Sequence, residues 1–144
     1  MVAFNFQKQF ATPVETGLKP HTIRAPRKRN RKGLHHGEPC SVGESLQLYT
    51  GMRTSSCRKL ADAICTAVTP IHITQKLDGR HWLYKGAVSG SIITWRKTLL
   101  SVREAEALAK ADGFDDLDAL LAWFEKTHGL PFKGFLIEWK LVGE

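Results

Sequence analysis

The chain has 144 residues, 42% of them hydrophobic and 24% charged, with a net charge of +7, which is enough for one domain that buries about 68% of its unfolded surface without staples. No apolar run approaches the ~20 residues of a membrane span, and the N-terminus lacks the charged start and apolar core of a signal peptide, so a cytoplasmic protein is expected, most simply a monomer. Three cysteines, Cys40, Cys57 and Cys65, make an odd set without a C-x-x-C pair, which fits reduced thiols better than a disulfide framework.

In chain order, Val2 to Phe6 alternates as a short strand, and Phe10 to Thr16 forms a brief helix that Gly17 ends. Thr22-Ile23-Arg24 then opens a second strand, with Thr22 and Arg24 on one face and Ile23 on the other. From Pro26 to Gly43 there are basic residues, three glycines and two prolines but no apolar period, the pattern of a long exposed loop. Ser45 to Tyr49 reads as a strand with Leu46 and Leu48 inward, followed by a polar turn over Thr50 to Ser56 that carries Arg53. Lys59 to Ile73 mixes small and β-branched residues as a long bent strand, and two further strands follow over Ile71 to Leu77 and Trp82 to Gly86, turned at Asp78-Gly79. Ser91 to Leu99 is either a strand or a loop.

Ser101-Val102-Arg103-Glu104 is a capping box, which predicts a helix from Val102 to about Ala111 with Asp112 at its end. Asp115 is placed to cap a second helix, whose Leu117, Leu120, Leu121 and Phe124 make one apolar stripe before Gly129 and Pro131 stop it. Phe135 to Leu141 closes the chain as a strand. No internal repeat is present.

The charge is uneven. Residues 1–72 hold 11 Lys or Arg against 4 Asp or Glu, whereas residues 73–144 hold 10 of each, so the whole excess is N-terminal. Six basic residues fall between Arg24 and Lys32 without an acid: Arg24, Arg27, Lys28, Arg29, Arg31 and Lys32. Such a segment seeks phosphates, although a run of charge is also the pattern of a plain solvated loop. His35 and His36 near Cys40 match no standard metal spacing, and neither a metal nor a cofactor is expected.

The segment Gly17-Leu18-Lys19-Pro20-His21-Thr22-Ile23-Arg24 gathers an amine, a hydroxyl and a guanidinium within one turn-opened stretch. It resembles the Gly-x-Lys-x-x-Thr/Glu-x-Arg signature of the ASCH domain family, small proteins related to PUA domains, and supplies all four positions. Leu46 to Arg53, Ala111 to Phe114, the helix ending at Gly129, and Phe135 to Trp139 also resemble segments of stand-alone bacterial and phage ASCH proteins. The resemblance implies an α+β fold: a PUA-like mixed β-barrel with two or three flanking helices, a single domain over residues 1–144 in which residues 26–43 form a basic exposed loop and residues 101–129 a helical insertion.

It also implies function. ASCH domains are proposed to bind RNA, and the first expectation is RNA or modified-nucleotide binding in a cleft of Lys19, Thr22 and Arg24, with phosphates held by Arg27, Lys28, Arg29, Arg31 and Lys32. Arg53 and a stacking ring such as Tyr49 or Trp82 would complete it, the alternative for each ring being a place in the core. Some small ASCH proteins are amidohydrolases that remove the acetyl group from N4-acetylcytidine with a Lys base, a Thr nucleophile and a Glu acid. By resemblance these roles fall to Lys19, Thr22 and Asp112, the aspartate one methylene shorter than the family's glutamate. Other readings are a ribonuclease, for which His21 stands alone beside the motif, and a phage-encoded protein-interaction module with an acidic partner.

Overall fold

A computed structural model describes residues 2–27, 37–89 and 94–143. The fold is α+β, three helices on a mixed, curled half-barrel sheet, in the order β1 (Val2–Phe6), α1 (Lys8–Thr16), β2 (His21–Arg24), β3 (Ser45–Thr50), β4 (Arg58–Ile73), β5 (Leu83–Ser89), β6 (Thr94–Leu99), α2 (Val102–Ala111), α3 (Leu117–Thr127) and β7 (Phe132–Leu141). None of the described helices is long and apolar enough to cross a membrane.

The 16-residue β4 is the spine. Its first half pairs antiparallel with β3, which pairs parallel with β1. Its last residues pair with β5, which leads to β6. Along the other edge it pairs with β7, and β7 carries β2. A register shift between Cys65 and Ala67 gives β4 the local bend and twist of a bulge. β1 and β2 therefore end the curl from opposite sides.

Two apolar clusters share the long strands. One gathers Phe4, Phe6, Phe10, Val14, Leu46, Leu48 and Trp139 under α1, and the other packs Leu108, Leu120 and Phe124 of the later helices on Ile71, Ile73, Phe132 and Leu136. Phe114 packs against both.

The capping box forms as the sequence predicts. Ser101 Oγ accepts from the Glu104 amide while the Glu104 carboxylate accepts from the Ser101 amide, which also holds Glu104 below its ordinary pKa. The second helix is capped one residue later than expected: Asp116, not Asp115, accepts from the Ala119 amide. Ile71 to Leu77 is not a separate strand. Ile71 to Ile73 finish β4, and the Asp78-Gly79 turn, at φ 50° and 80°, is closed by a Leu77–Arg80 bridge. Residues 94–99 form strand β6. At the end of the stretch read as an exposed loop, Gly37, Pro39 and Cys40 are buried.

All three cysteines are free thiols. Cys40 donates to Cys65 at 3.7 Å in the core, and that bond together with burial holds the Cys40 thiol well above its ordinary value. Cys57 is exposed. An aromatic disulfide reagent should therefore titrate one thiol in the native protein and three after denaturation. Rapid reaction of a second thiol under native conditions would contradict the buried pair.

Candidate functional site

Local folding sets the lysine. Gly17 ends α1 in the left-handed region at φ 84°, a conformation that costs glycine nothing. The chain then doubles back, with the Lys19 amide bonded to Pro13 O and Pro20 O accepting from the Trp139 amide. Lys19 is turned inward and is only 3% exposed.

Asp112 comes from the far side of the sequence. It is the C-cap of α2, its amide bonded to Leu108 O and Lys110 O, and Gly113 at φ 97° turns the chain away. A side chain at 113 would strike the Phe10 ring. Asp112 thus ends a helix and serves the site at once. Lys19 Nζ lies 2.6 Å from Asp112 Oδ1 and 2.6 Å from the Asp112 carbonyl oxygen, and His21 Nδ1 lies 3.1 Å from the same Oδ1.

Burial and charge oppose each other in this pair. Removing an ammonium from water lowers the Lys19 pKa, Asp112 raises it, and burial wins, helped by the Arg24 charge. The Nζ also sits 5.0 Å from the centroid of the Phe10 ring, whose face attracts a cation.

Thr22 and Arg24 share one face of β2, as strand alternation requires. Arg24 Nε donates to Thr22 Oγ1 at 3.2 Å and Nη2 to Asn5 O at 2.8 Å. The guanidinium lies 5.0 and 4.8 Å from the Phe4 and Phe6 rings. Burial pulls Arg24 down to about 10, which leaves it charged at neutral pH. Because Thr22 Oγ1 accepts from a cation, its own O–H remains available to a base.

These groups open into a pocket of about 310 Å³ at the seam between β1 and β2. Asn5, Phe6 and Gln7 line it from one strand edge, Thr22 to Ala25 from the other, and Lys19 and Asp112 lie between. Phe10, Phe114 and Trp123 form an aromatic wall with ring centroids 5.4 to 6.4 Å apart. The end of α3 adds Thr127 and His128.

The structure therefore brings Lys19, Thr22, Arg24 and Asp112 together. Tyr49 and Arg53 lie outside this lining: Tyr49 is half-buried on β3 with its hydroxyl on Gln47 Oε1, and Arg53 is exposed in the turn after β3. Trp82 stands elsewhere, with the Arg80 guanidinium 3.9 Å from its ring centroid. Arg27 is exposed, its amide bonded to Gly37 O, while Lys28, Arg29, Arg31 and Lys32 lie outside the described residues. Trp123, Thr127 and His128 join the pocket although no local signal marks them as more than a helix end. Among the described residues no cluster of His, Cys, Asp or Glu could hold a metal ion.

Comparison of the chain with known protein families, curated proteins and solved structures gives no match.

Proposed function

We propose that this pocket binds a modified nucleoside and hydrolyses an acyl amide on its base, as in the deacylation of N4-acetylcytidine. The observation that carries the reading is the convergence of Lys19 and Thr22 with Asp112, distant from them in sequence, on one pocket of nucleoside size. The fold reading that accompanies it is an ASCH-type, PUA-like barrel, supported by the curled sheet and its three helices.

The chemistry follows from one shared proton. In the neutral form of the buried pair, Lys19 is an amine and Asp112 a carboxylic acid, a base and an acid held 2.6 Å apart. Thr22 Oγ attacks the acyl carbon and its proton passes to Lys19. Arg24, already on that oxygen, orients it and eases loss of its proton to Lys19. The C–N bond breaks as Asp112 protonates the leaving amine, and an acyl ester remains on Thr22. Water then attacks the ester, giving a proton to the Asp112 carboxylate. Lys19 returns its proton to the departing Thr22 oxygen, so the free acid leaves and the pair is restored.

The test is incubation of the purified protein with N4-acetylcytidine and chromatography of the products. Release of cytidine and acetate that disappears in Lys19→Met supports the reading; no release at high protein concentration overturns it.

A second reading, RNA binding, is supported by the six basic residues from Arg24 to Lys32, a run in sequence whose first member, Arg24, lines the pocket. It requires affinity that falls steeply with salt.

A further inference from the structure

We propose that the mouth of this pocket, between Arg24 and His128, receives a phosphate monoester, so that the ligand is a nucleotide rather than a bare nucleoside. The inference rests on the nucleoside reading above and adds the charged group.

Among the described residues Arg24 has no matching anion in an ion pair; its hydrogen bonds go to the Thr22 hydroxyl and a backbone carbonyl. Among the described residues of the lining the one carboxylate, Asp112, is engaged by Lys19 and His21. Lys19 and Asp112 cancel, and the lining keeps the charge of Arg24.

His128 faces the same space from the end of α3. Its ring is exposed at the mouth and braced by Trp123, Phe124 and Phe132, with centroids 5.0 to 5.8 Å away. The charged groups around it are Arg24 from β2 and the Lys19–Asp112 pair of the lining. Glu125 and Lys126 on α3 and Lys133 on β7 are exposed and outside the lining. Partial burial and the Arg24 charge both lower the His128 pKa, so the ring is neutral above its ordinary titration range. A phosphate placed between the two groups meets a guanidinium suited to its oxygens, an imidazole that gains a proton in its presence, and the nearby Thr127 hydroxyl.

The sign follows. A phosphate raises the His128 pKa, so binding takes up a proton and its affinity gains from His128 as pH falls. The phosphate's own ionisation near 6 acts in the opposite sense, and comparison with His128→Gln at each pH cancels it. His128 is exposed, so that variant should fold.

The experiment is calorimetric titration of the full chain and of His128→Gln with cytidine and cytidine 5′-monophosphate at pH 5.5 and 8. The two probes are products and are not turned over. The expected result at pH 5.5 is a nucleotide affinity about ten-fold or more above that of the nucleoside, with most of this preference lost in His128→Gln at pH 5.5 and little at pH 8. Equal affinity for the two probes in the wild type overturns the phosphate site and leaves the nucleoside reading standing. Binding of neither overturns both. An undiminished preference in His128→Gln overturns the part given to His128.

Discussion

Thr22→Val should reduce deacylation of N4-acetylcytidine by at least about 10³-fold, because valine keeps the shape of threonine and removes the one oxygen that forms the acyl ester. Thr22→Ser should keep measurable turnover, since its hydroxyl can occupy the same place beside Arg24. The fold should tolerate both changes: Thr22 is buried on β2 opposite Ile137, and the bond lost by valine is a 3.2 Å contact to Arg24. Mass spectrometry of the wild type under single-turnover conditions should find an acetyl group on Thr22. Wild-type rates in Thr22→Val would remove threonine as nucleophile and leave direct attack by water.

Asp112→Ala is expected to have the largest effect on stability, about 3–5 kcal/mol, since it leaves the Lys19 charge buried without its partner. The double variant Lys19→Met, Asp112→Leu should recover most of that loss, because two apolar side chains of similar size remove both desolvation costs. Urea unfolding of the three proteins checks the pattern, and a double variant as weak as Asp112→Ala would mean that the pair itself organises this end of α2. The pH dependence has a definite sign. The Lys19 pKa is lower folded than in the unfolded chain, so below about 10.4 there is an interval in which the unfolded chain binds more protons. Stability contributed at this site rises with pH across that interval, and the rise should be missing in Lys19→Met.

Much of this site was legible because it is local. Gly17 to Arg24 carries three of its four central groups within eight residues, and strand alternation already set Thr22 and Arg24 on one face. The capping box fixed the start of α2 and so the place where Asp112 ends it, although only the resemblance linked Asp112 to Lys19. His128 and Trp123 were not legible. They reach the pocket because α3 packs on Ile71, Phe132 and Leu136, a long-range contact that no local pattern encodes. Tyr49 lies outside the pocket lining, and a signal for that is available: with Leu46 and Leu48 inward, alternation turns Tyr49 to the other face of β3. Asp115 and Asp116 are equally good caps by type, and the structure uses the second. The sequence pattern lets Ile71 to Leu77 overlap the end of the long strand Lys59 to Ile73, and pairing resolves the overlap, since Ile71 to Ile73 belong to β4. β4 passes through Pro70 with β7 on one edge, in the stretch between its pairings with β3 and β5, where a proline is tolerated.

The bond from Arg24 to the Asn5 carbonyl has a meaning for solubility as well. β1 pairs with β3 and β2 with β7, so each presents a strand edge to the seam, and free edges invite pairing with a neighbouring molecule. A charged side chain laid from one edge onto the carbonyl of the other obstructs such strand addition. Arg24 thereby stands in the way of a second copy adding its strand at this seam.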